Sequence, residues 1–490
     1  MCLSSFQELQ RRVQVPGQPI ICPFARNSSA LKYGIDFGVK AGLINFVIER
    51  STCKASFERK TEAVESKGLG HPDVIADSIA ETFSRNLSRE YLRLFGPGNV
   101  LHHNVDKLDV VGGETKTHFG GGQIRKPISI FFSGRATYRI ENQEIEGDGR
   151  QWLGTIASRS AREWLSENIR YLDSTDRSTI HIPRDFVATK GGTDQLRDTV
   201  TEQVTQVRSN DTSLGSGYYP LSPLEQTVLH LRRLLNSHSF LNENPHLGED
   251  VKVMGIRMDT KVEITLAISF VDRVLEGPMT YFSKKRELHQ NLIKELGDFI
   301  EEKKFDLSFA DGDLRVNNLD DEKNAFADLA EPERYCYLTV MGTSAENGDD
   351  GAVGRGNRIN GVSPYDKPVS QEAFAGKNPI SHVGKLYNIM AVLLARRVYE
   401  SGIAPFKEVG VTLVSRIGEP TNQPQLASVL YNAEHELTES QMNEISRTIQ
   451  GELDAKLQRR TGDIPPLAQE ILRDEYDSGP LIFLREQKED

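Results

Sequence analysis

Apolar residues recur every four positions after Pro72, at Ile75, Ile79, Phe83 and Leu87. This spacing places them along one face of a helix, and a proline suits the first turn of a helix. We therefore predict a helix that begins at Pro72 and packs this apolar face against a flat partner.

Apolar and polar residues alternate strictly from Val262 to Phe270, which predicts a half-buried strand. Further strands are predicted at Lys107–Val111, at Ile128–Phe132 continuing towards Ile140, at Tyr335–Met341 and at Val409–Ser415. Further helices are predicted at Trp152–Ile169, Leu224–Leu235, Lys284–Lys303, His382–Val398 and Gln441–Leu457. The order lacks a regular βαβ rhythm, so we expect an α+β fold of antiparallel or mixed sheets with helices on one face.

The first 59 residues differ in composition from the rest. Residues 1–60 carry nine Lys/Arg and four Asp/Glu, although the whole chain has a net charge of −11. Three of the four cysteines, Cys2, Cys22 and Cys53, also lie here. We interpret residues 1–59 as a basic N-terminal extension and residues 60–490 as the folded core, with uncertain boundaries inside it.

The composition of the chain limits the kinds of partner it can bind and indicates its cellular compartment. A net charge of −11 argues against a nucleic-acid-binding protein, because such binding relies on clustered Lys and Arg. No run of eighteen apolar residues predicts a membrane span. Four cysteines in 490 residues, without zinc-site spacing, build no disulfide scaffold and favour the reducing cytoplasm.

The segment Gly342–Lys385, which we call the glycine-rich segment, has the features of a phosphate site. It contains eight of the 40 glycines, and packed glycines let backbone N–H groups converge on an anion. Among them stand the carboxylates Asp349 and Asp350 and the cations Arg355, Arg358, Lys377 and Lys385. Carboxylates beside cations suit a divalent metal that shares the site with a polyphosphate. By itself the segment is equally compatible with a long surface loop of solvated charges.

A second informative stretch runs from Glu65 to Asp73, where glycines lead into the predicted helix start. The first N–H groups of a helix lack partners and attract anions. Asp73 either complements the helix dipole or holds Mg²⁺ against a phosphate at the same place. Considered alone, His71 is best interpreted as a buried structural histidine. Considered with the glycine-rich segment, it is better interpreted as a residue of the functional site.

Long stretches of the chain resemble one enzyme family. GLGHPDVIADSIAE resembles the GHPD signature of S-adenosylmethionine synthetases (methionine adenosyltransferases). The stretch His102–Thr137, NDTSLGSGYYPLS from Asn210, GEDVKVMGIR from Gly248, GTSAENGDDGAVGRGNRINGV and AFAGKNPISHVGKLYN resemble the archaeal-type branch. The resemblance covers roughly residues 60–430 in the right order.

The resemblance implies a reaction and an architecture. Methionine sulfur attacks C5′ of ATP and displaces tripolyphosphate, which is then hydrolysed to pyrophosphate and phosphate. Mg²⁺ is required and K⁺ commonly activates. The fold is three similar α+β lobes about a pseudo-threefold axis, and the active sites lie between the subunits of a homodimer.

The resemblance also assigns roles to residues. Catalytic roles fall to His71, Lys252, Arg355 and Lys377, and methionine contacts to Glu114, Asp211 and Lys252. Contacts with ATP are expected from Glu65, Asp250, Asp349, Arg355, Lys377, Lys385, Gly191, Gly192 and Asp194, and metal binding from Asp73, Asp349 and Asp350. Taken singly, Glu114 and Asp211 would be loop or turn carboxylates, and Asp250 and Lys252 a solvated pair on a strand.

The chain departs from the bacterial and eukaryotic pattern in three places. Ser381 and Val383 stand near the positions of a second lysine and a metal-binding aspartate, which leaves His382, Lys385 and Asp350 as alternatives. The K⁺-binding glutamate falls near Asn104, so K⁺ dependence is open. The archaeal GQGS-type nucleotide loop is matched imperfectly by Lys190–Asp194.

Two other functions compete with this reading. One is a related enzyme that uses another thioether or another nucleotide, which the altered loop near Gly191 allows. The other is a nucleotide sensor that binds ATP without turnover. Retention of His71, Asp73, Arg355 and Lys377 together disfavours the sensor, which needs fewer of these groups.

Overall fold

Three groups of strands, each with a pair of long helices, make up most of the described part of the chain. The structure is a computed structural model, and it describes residues 44–140, 143–145, 147–183, 187–189, 206–459 and 462–473. Within these ranges helices and strands mix throughout, as an α+β fold requires.

The first sheet pairs the first described strand with strands from much later in the chain. Its strands, in spatial order, are Asn45–Arg50, Leu426–Asn432, Glu408–Val414 and Leu214–Tyr219. The first pair is parallel and the other two pairs are antiparallel. Helix Val383–Glu400 packs on this sheet, and helix Glu439–Leu457 packs on that helix.

The second sheet contains the two longest strands. Its strands, in spatial order, are Leu314–Val316, Lys261–Val271, Leu247–Met258, Thr61–Lys67 and Ser363–Pro364, and Leu338–Thr339 pairs with Lys261–Val271. Helix Pro223–Leu235 packs on it, and helix Pro278–Lys303 contacts that helix. The predicted alternation is confirmed, because Val262, Ile264, Leu266, Ile268 and Phe270 are all buried.

The third group consists of shorter strands around the helix predicted from the apolar repeat. One sheet has the order Ile180–His181, Ile128–Phe131, Asp109–Val111, Gly351–Ala352, and another the order Val187–Thr189, Ser133–Ala136, His103–Asn104. Helix Pro72–Phe95, which we call the site helix, packs against Asp109–Val111, Gly351–Ala352 and helix Gly149–Asn168. Its residues Ile75, Ile79, Phe83 and Leu87 are buried, as the spacing predicts.

Shorter elements complete the described fold. Glu114–Lys116 pairs with Gln123–Lys126, and Arg139–Ile140 pairs with Gln143–Glu144. The short helices are His238–Glu243, Glu322–Ala327 and Pro466–Leu472, and the single 3₁₀ turns are Ser56–Glu58, Asp272–Val274, Asp311–Asp313, Pro332–Tyr335 and Ser344–Asn347. None of the helices in these described ranges is long and apolar enough to cross a membrane.

Two predicted strands are interrupted in the structure. Of Tyr335–Met341 only Leu338–Thr339 is a strand, because the N–H groups of Val340 and Met341 donate to the Glu346 carboxylate instead of a neighbouring strand. The run from Ile128 to Ile140 divides into three short strands. Gly134 lies in this run with a φ of 137°, and a Cβ there would stand 2.3 Å from the carbonyl oxygen of Asn104.

The folded body begins earlier than the sequence-based boundary after residue 59. Strand Asn45–Arg50 pairs in register with Leu426–Asn432. Arg50 also donates to the carbonyl oxygen of Ala433 at 3.0 Å. A composition-based boundary misses this strand because it is short and its partner lies far along the chain.

Lys367 provides a buried electrostatic link between the first two groups. Its ammonium lies 3.1 Å from Glu225 at the start of helix Pro223–Leu235 and 3.1 Å from Glu408 on the first sheet. The Lys367 side chain is only 1% exposed. Removing one partner from such a pair leaves uncompensated buried charge.

We expect Lys367→Met to lower the free energy of unfolding by about 3–5 kcal/mol, because two buried carboxylates lose their cation. Urea denaturation at neutral pH measures the change. The matched control is Lys407→Met, since Lys407 forms an exposed pair with Glu58 at 2.7 Å, and its midpoint should stay unchanged. Equal midpoints for both variants would contradict the role of Lys367.

Candidate active site

The start of the site helix is fixed by a close approach between two backbones. Strand Thr61–Lys67 turns through Gly70, where a Cβ would lie 2.4 Å from the backbone nitrogen of Asp250. His71 then caps the helix, because its Nδ1 accepts a hydrogen bond from the backbone N–H of Asp73 at 3.3 Å. Only glycine fits at position 70, so the sequence brings Asp250 beside the helix start.

Several predicted site residues meet at this helix start. Together with Lys67, which was not predicted, they form what we call the helix-end cluster: Glu65, Lys67, His71, Asp73, Lys252, Asp349 and Arg355. Lys67 Nζ lies 3.0 Å from Asp73 Oδ2, and Lys252 Nζ lies 3.1 Å from Glu65 Oε2. Arg355 Nε lies 3.9 Å from Asp73 Oδ1. The side chains of Lys252 and Arg355 are 42% and 75% exposed, so both can turn to a bound anion.

His71 is neutral in this environment. Burial, together with the positive charge of Lys67, lowers its pKa to about 4. Its Nδ1 accepts from the Asp73 N–H, so the single ring proton is on Nε2. His71 can therefore donate a hydrogen bond from Nε2 to an acceptor at the helix start.

Carboxylates of the glycine-rich segment border the same place. Ser344 donates its backbone N–H to Asp250 Oδ2 at 2.7 Å and its hydroxyl to Asp349 Oδ2 at 3.0 Å. Burial raises the pKa of Asp250 to about 6, and the charge of Asp349 adds to this. Asp350 Oδ1 accepts the backbone N–H of Gly112 at 2.7 Å. Asp73, Asp349 and Asp350 thus keep further oxygen lone pairs for a hard cation such as Mg²⁺.

A second set of residues, of which Asn104, Asp211, Lys377 and His382 were singled out in the sequence, lies elsewhere along the site helix. We call it the cavity cluster: Asn104, Asp106, Asp211, Glu372, Lys377 and His382. The Lys377 ammonium donates to Asp106 Oδ2 and lies 2.8 Å from Glu372 Oε1. A cavity of about 300 Å³ opens beside it, lined by His102, Asn104, Asp106, Lys107, Gly134, Arg135, Asn210, Asp211 and His382.

Asp211, Glu372 and His382 place one possible ligand atom each within 4.8 Å of one another. His382 caps helix Val383–Glu400 by accepting the Gly384 N–H on Nδ1 at 3.2 Å. Burial and the charge of Lys377 lower the pKa of His382, so the ring is neutral and its proton is on Nε2. Nε2 faces Asp211 Oδ2 at 3.7 Å. At this distance Nε2 forms no hydrogen bond with Asp211, and its nearest polar partner is Asn104 Nδ2 at 3.3 Å.

Three further predictions fall outside both clusters. Lys385 is fully buried, and both carboxylate oxygens of Glu81 hold its ammonium at 2.7 and 2.8 Å. This differs from the expected contact with polyphosphate. Glu114 lies exposed on a hairpin, 3.5 Å from Arg125. Gly191, Gly192 and Asp194 lie outside the described residues.

One polar face of the site helix holds the glycine-rich segment along its length. Asp73, Asp77, Glu81 and Ser84 recur at helical spacing beside the apolar face. The contacts are Ala352 N to Asp73 Oδ1 at 3.1 Å, Gly354 N to Asp77 Oδ1 at 2.7 Å, Gly376 N to Glu81 Oε2 at 3.1 Å and Ser84 Oγ to the Lys377 carbonyl oxygen at 2.8 Å. The segment is therefore fixed by backbone hydrogen bonds to buried side chains.

The two clusters are separated within one chain. The helix-end cluster contacts Asp73 and the cavity cluster lies beside Ser84, eleven residues later on the same helix. Eleven residues span about 16 Å of helix axis. The structure thus brings His71, Asp73, Lys252 and Arg355 together and places Lys377 apart from them.

Sequence reasoning missed five groups that hold these clusters, the buried Lys67, Asp77, Glu81 and Asp106 and the half-buried Glu372. The acids at 73, 77 and 81 repeat every four residues inside a helix with a strong apolar repeat. Such a repeat next to a buried face is a usable signal for a second buried contact. Asp106 carries no comparable local signal, because its partner Lys377 is distant in sequence. Glu372 is near Lys377 in sequence, but it lies outside any helix or strand whose periodicity would indicate a contact.

Comparison with known families gives one result that spans most of the chain. Residues 44–468 match the model of S-adenosylmethionine synthetase (AdoMet synthetase). The match begins at residue 44, one residue before the first described strand, Asn45–Arg50.

Individual relatives agree with this result. A protein of Hyperthermus butylicus named S-adenosylmethionine synthase is 40% identical over 84% of this chain and 95% of its own length. A probable S-adenosylmethionine synthase of Aquifex aeolicus is 41% identical over the same shares. The S-adenosylmethionine synthase of Sulfolobus acidocaldarius is 38% identical over 83% of this chain and 93% of its own length.

Glu346, in the glycine-rich segment, yields a pH prediction. Burial raises the pKa of its carboxyl to about 8, so the fold favours the protonated form. The contribution of Glu346 to the free energy of unfolding is therefore greatest at pH values below the ordinary carboxyl pKa of 4.5. It is lost as the pH rises through about 8.

We therefore expect the wild-type chain to lose stability relative to Glu346→Gln when the pH rises from about 5 to about 8. The urea midpoints of both proteins, measured at several pH values in this window, test the prediction. A constant difference between the two midpoints across the window would contradict it.

Proposed function

The chain belongs to the S-adenosylmethionine synthetase family, and on that premise we propose that two copies of it build each active site together. The chain makes S-adenosylmethionine from ATP and methionine. The proposal concerns how its own residues divide this work.

The chemistry needs positioning and charge stabilisation rather than a base. A thioether sulfur has no proton to lose, so attack on C5′ of ATP requires no proton acceptor. The barrier lies in aligning sulfur with carbon and in stabilising the departing polyphosphate. A site for this reaction therefore needs donors and cations around the leaving oxygen, which the helix-end cluster contains.

We assign to His71 the contact with the leaving oxygen, the polyphosphate oxygen that departs from C5′. Its neutral ring, with the proton on Nε2, donates a hydrogen bond to charge that develops on that oxygen. The first N–H groups of the site helix add a positive end at the same place. Neutrality of His71 matters because the ring donates without requiring protonation at physiological pH.

We assign binding of the polyphosphate chain mainly to the exposed cations. Lys252 and Arg355 are paired with Glu65 and Asp73, and a bound triphosphate exchanges these exposed pairs for charge-assisted hydrogen bonds. Lys377 has three ammonium protons, of which Asp106 and Glu372 take two. The third is left for substrate. Asp250 would contact the nucleotide beside Asp349.

Methionine is assigned to the cavity cluster. Asp211 borders the cavity of about 300 Å³ and would accept the methionine ammonium, with His382 orienting the carboxylate through Nε2. Glu114 lies exposed on its hairpin, where it can reach a second copy of the chain. The loop of Gly191, Gly192 and Asp194 is kept as a proposed nucleotide contact.

Members of this family need a divalent metal and a monovalent cation, and we propose Mg²⁺ and K⁺. Asp73, Asp349 and Asp350 would hold magnesium, since carboxylate oxygens beside phosphate are its usual ligands. The fit rests on Asp73 and Asp349, whose charges both act on His71. When bound, the metal neutralises charge on the polyphosphate. Asn104 is the residue near the proposed K⁺ position.

The observation that carries the two-copy proposal is the separation of the clusters. Within one chain the Lys377 backbone contacts Ser84, about 16 Å along the site helix from Asp73, and its ammonium is held by Asp106 and Glu372, so we infer that neither cluster holds a complete set. Each of the three sheet groups also exposes apolar side chains, including Leu430, Ile256 and Phe131. A homodimer with three similar lobes around a pseudo-threefold axis would cover these faces and bring the clusters together. We place this dimer in the cytoplasm.

Product analysis tests the function. Purified protein given ATP, Mg²⁺ and methionine should yield S-adenosylmethionine, pyrophosphate and phosphate. Binding of ATP without product would identify a nucleotide sensor instead. Turnover only with another thioether or nucleotide would identify a related enzyme with a different substrate.

We predict that Lys377→Ala and Asp73→Asn each lower kcat by at least about 100-fold, because the first removes a cation for the departing polyphosphate and the second removes a carboxylate ligand of the metal that would neutralise it. Steady-state kinetics measure the loss, and circular dichroism checks that each variant is folded. Lys284→Ala is the control, since Lys284 is exposed and pairs only with Glu287 in the described structure. A folded variant with a normal rate would remove its residue from the mechanism.

A further inference from the structure

Asp77 is a buried carboxylate with two backbone partners on either side of Arg355. Its Oδ1 accepts the N–H of Gly354 at 2.7 Å and its Oδ2 accepts the N–H of Gly356 at 3.1 Å. The Asp77 residue is only 2% exposed. The Arg355 side chain between the two glycines is 75% exposed. One side chain of the site helix therefore holds the backbone that presents Arg355.

The local geometry leaves little freedom at this contact. A Cβ on Gly356 would stand 2.3 Å from Asp77 Oδ2, and Gly354 has a φ of 88°. Lys67 holds the same peptide from the other side, because its Nζ donates to the Arg355 carbonyl oxygen at 2.7 Å. The backbone at Arg355 is thus bound from the helix and from strand Thr61–Lys67.

Burying the Asp77 carboxylate without a paired cation costs free energy that an apolar side chain at this position would not cost. Burial raises the pKa of Asp77 to about 7, against the opposing effect of the Gly354 and Gly356 N–H groups. No ion pair to Asp77 is formed by any cation in the described ranges. A buried carboxylate without a paired cation is stabilised less than an apolar side chain at the same place. What it provides is a fixed pair of acceptors for two backbone N–H groups.

We propose that Asp77 is a positioning residue for the reaction: it holds the Gly354–Gly356 backbone so that Arg355 is aimed at the polyphosphate beyond the start of the site helix. The inference rests on the proposed role of Arg355 in binding polyphosphate. Asp77 itself touches no substrate. Loss of either acceptor oxygen frees one N–H and allows the Arg355 backbone to move.

A double-mutant cycle between Asp77 and Arg355 tests this. The proteins are wild type, Asp77→Asn, Arg355→Ala and the double variant, each assayed for kcat and KM of ATP and for hydrolysis of added tripolyphosphate. We expect Arg355→Ala to lower kcat/KM by about 100-fold and Asp77→Asn by at least about tenfold. The double variant should stay within about twofold of Arg355→Ala, because Asp77 acts through Arg355.

The matched control is Asp272→Asn. Asp272 is another buried carboxylate that accepts two backbone N–H groups, from His118 at 3.2 Å and Gly122 at 2.9 Å, on Oδ2. Its effect on unfolding should be comparable. Any effect of Asp272→Asn on kcat/KM should multiply with that of Arg355→Ala, since the two do not act through each other.

A second variant reaches the same contact from the other partner. Gly356→Ala directs a methyl group at Asp77 Oδ2 and should reproduce the kinetic loss of Asp77→Asn. Independent, multiplying effects of Asp77→Asn and Arg355→Ala would overturn the inference while leaving the proposed function intact. A normal rate for Arg355→Ala would overturn both the role of Arg355 and the inference built on it.

Discussion

The structure depends on the polar face of the site helix, Pro72–Phe95. Asp73, Asp77, Glu81 and Ser84 point from it into a buried interface and take up backbone groups of residues 352–377. A segment with so many glycines has high conformational entropy when unfolded. Buried acceptors on a rigid helix fix the segment in place. A buried N–H group that lacks an acceptor destabilises the fold by more than a formed hydrogen bond stabilises it. The positions of Arg355 and Lys377 follow from this contact.

Charge within the site is balanced locally. Every cation assigned to the polyphosphate already has a carboxylate nearby: Lys252 has Glu65, Arg355 has Asp73, and Lys377 has Asp106 and Glu372. Such pairs keep like charges from repelling one another before substrate binds. The chain as a whole has a net charge of −11, so cations that bind a polyanion must act locally and against the overall charge. The buried Lys385 ammonium is balanced in the same way by Glu81.

Sequence patterns predicted the parts of the fold that are local. The four-residue apolar repeat located the site helix, and alternation located the strand Lys261–Val271, because both follow from which face is buried. The family resemblance implies the site residues and a site shared by two subunits, and both stay predictions. Composition missed strand Asn45–Arg50, and periodicity could not foresee that Glu346 would interrupt the predicted strand at Tyr335–Met341. Asp77, Glu81 and Asp106 were missed because their partners lie between 271 and 295 residues away in sequence.

The central claim is that a helix-end cluster of one chain completes its site with the cavity cluster of a second. The most direct measurement co-expresses two inactive variants, His71→Ala and Lys377→Ala, and assays the mixed dimers. In a two-fold symmetric dimer one of the two sites then regains both wild-type clusters, so random mixing should restore about a quarter of wild-type activity. If the mixture stays as inactive as the separate variants although mixed dimers form, both clusters serve one site within a single chain and the claim is wrong.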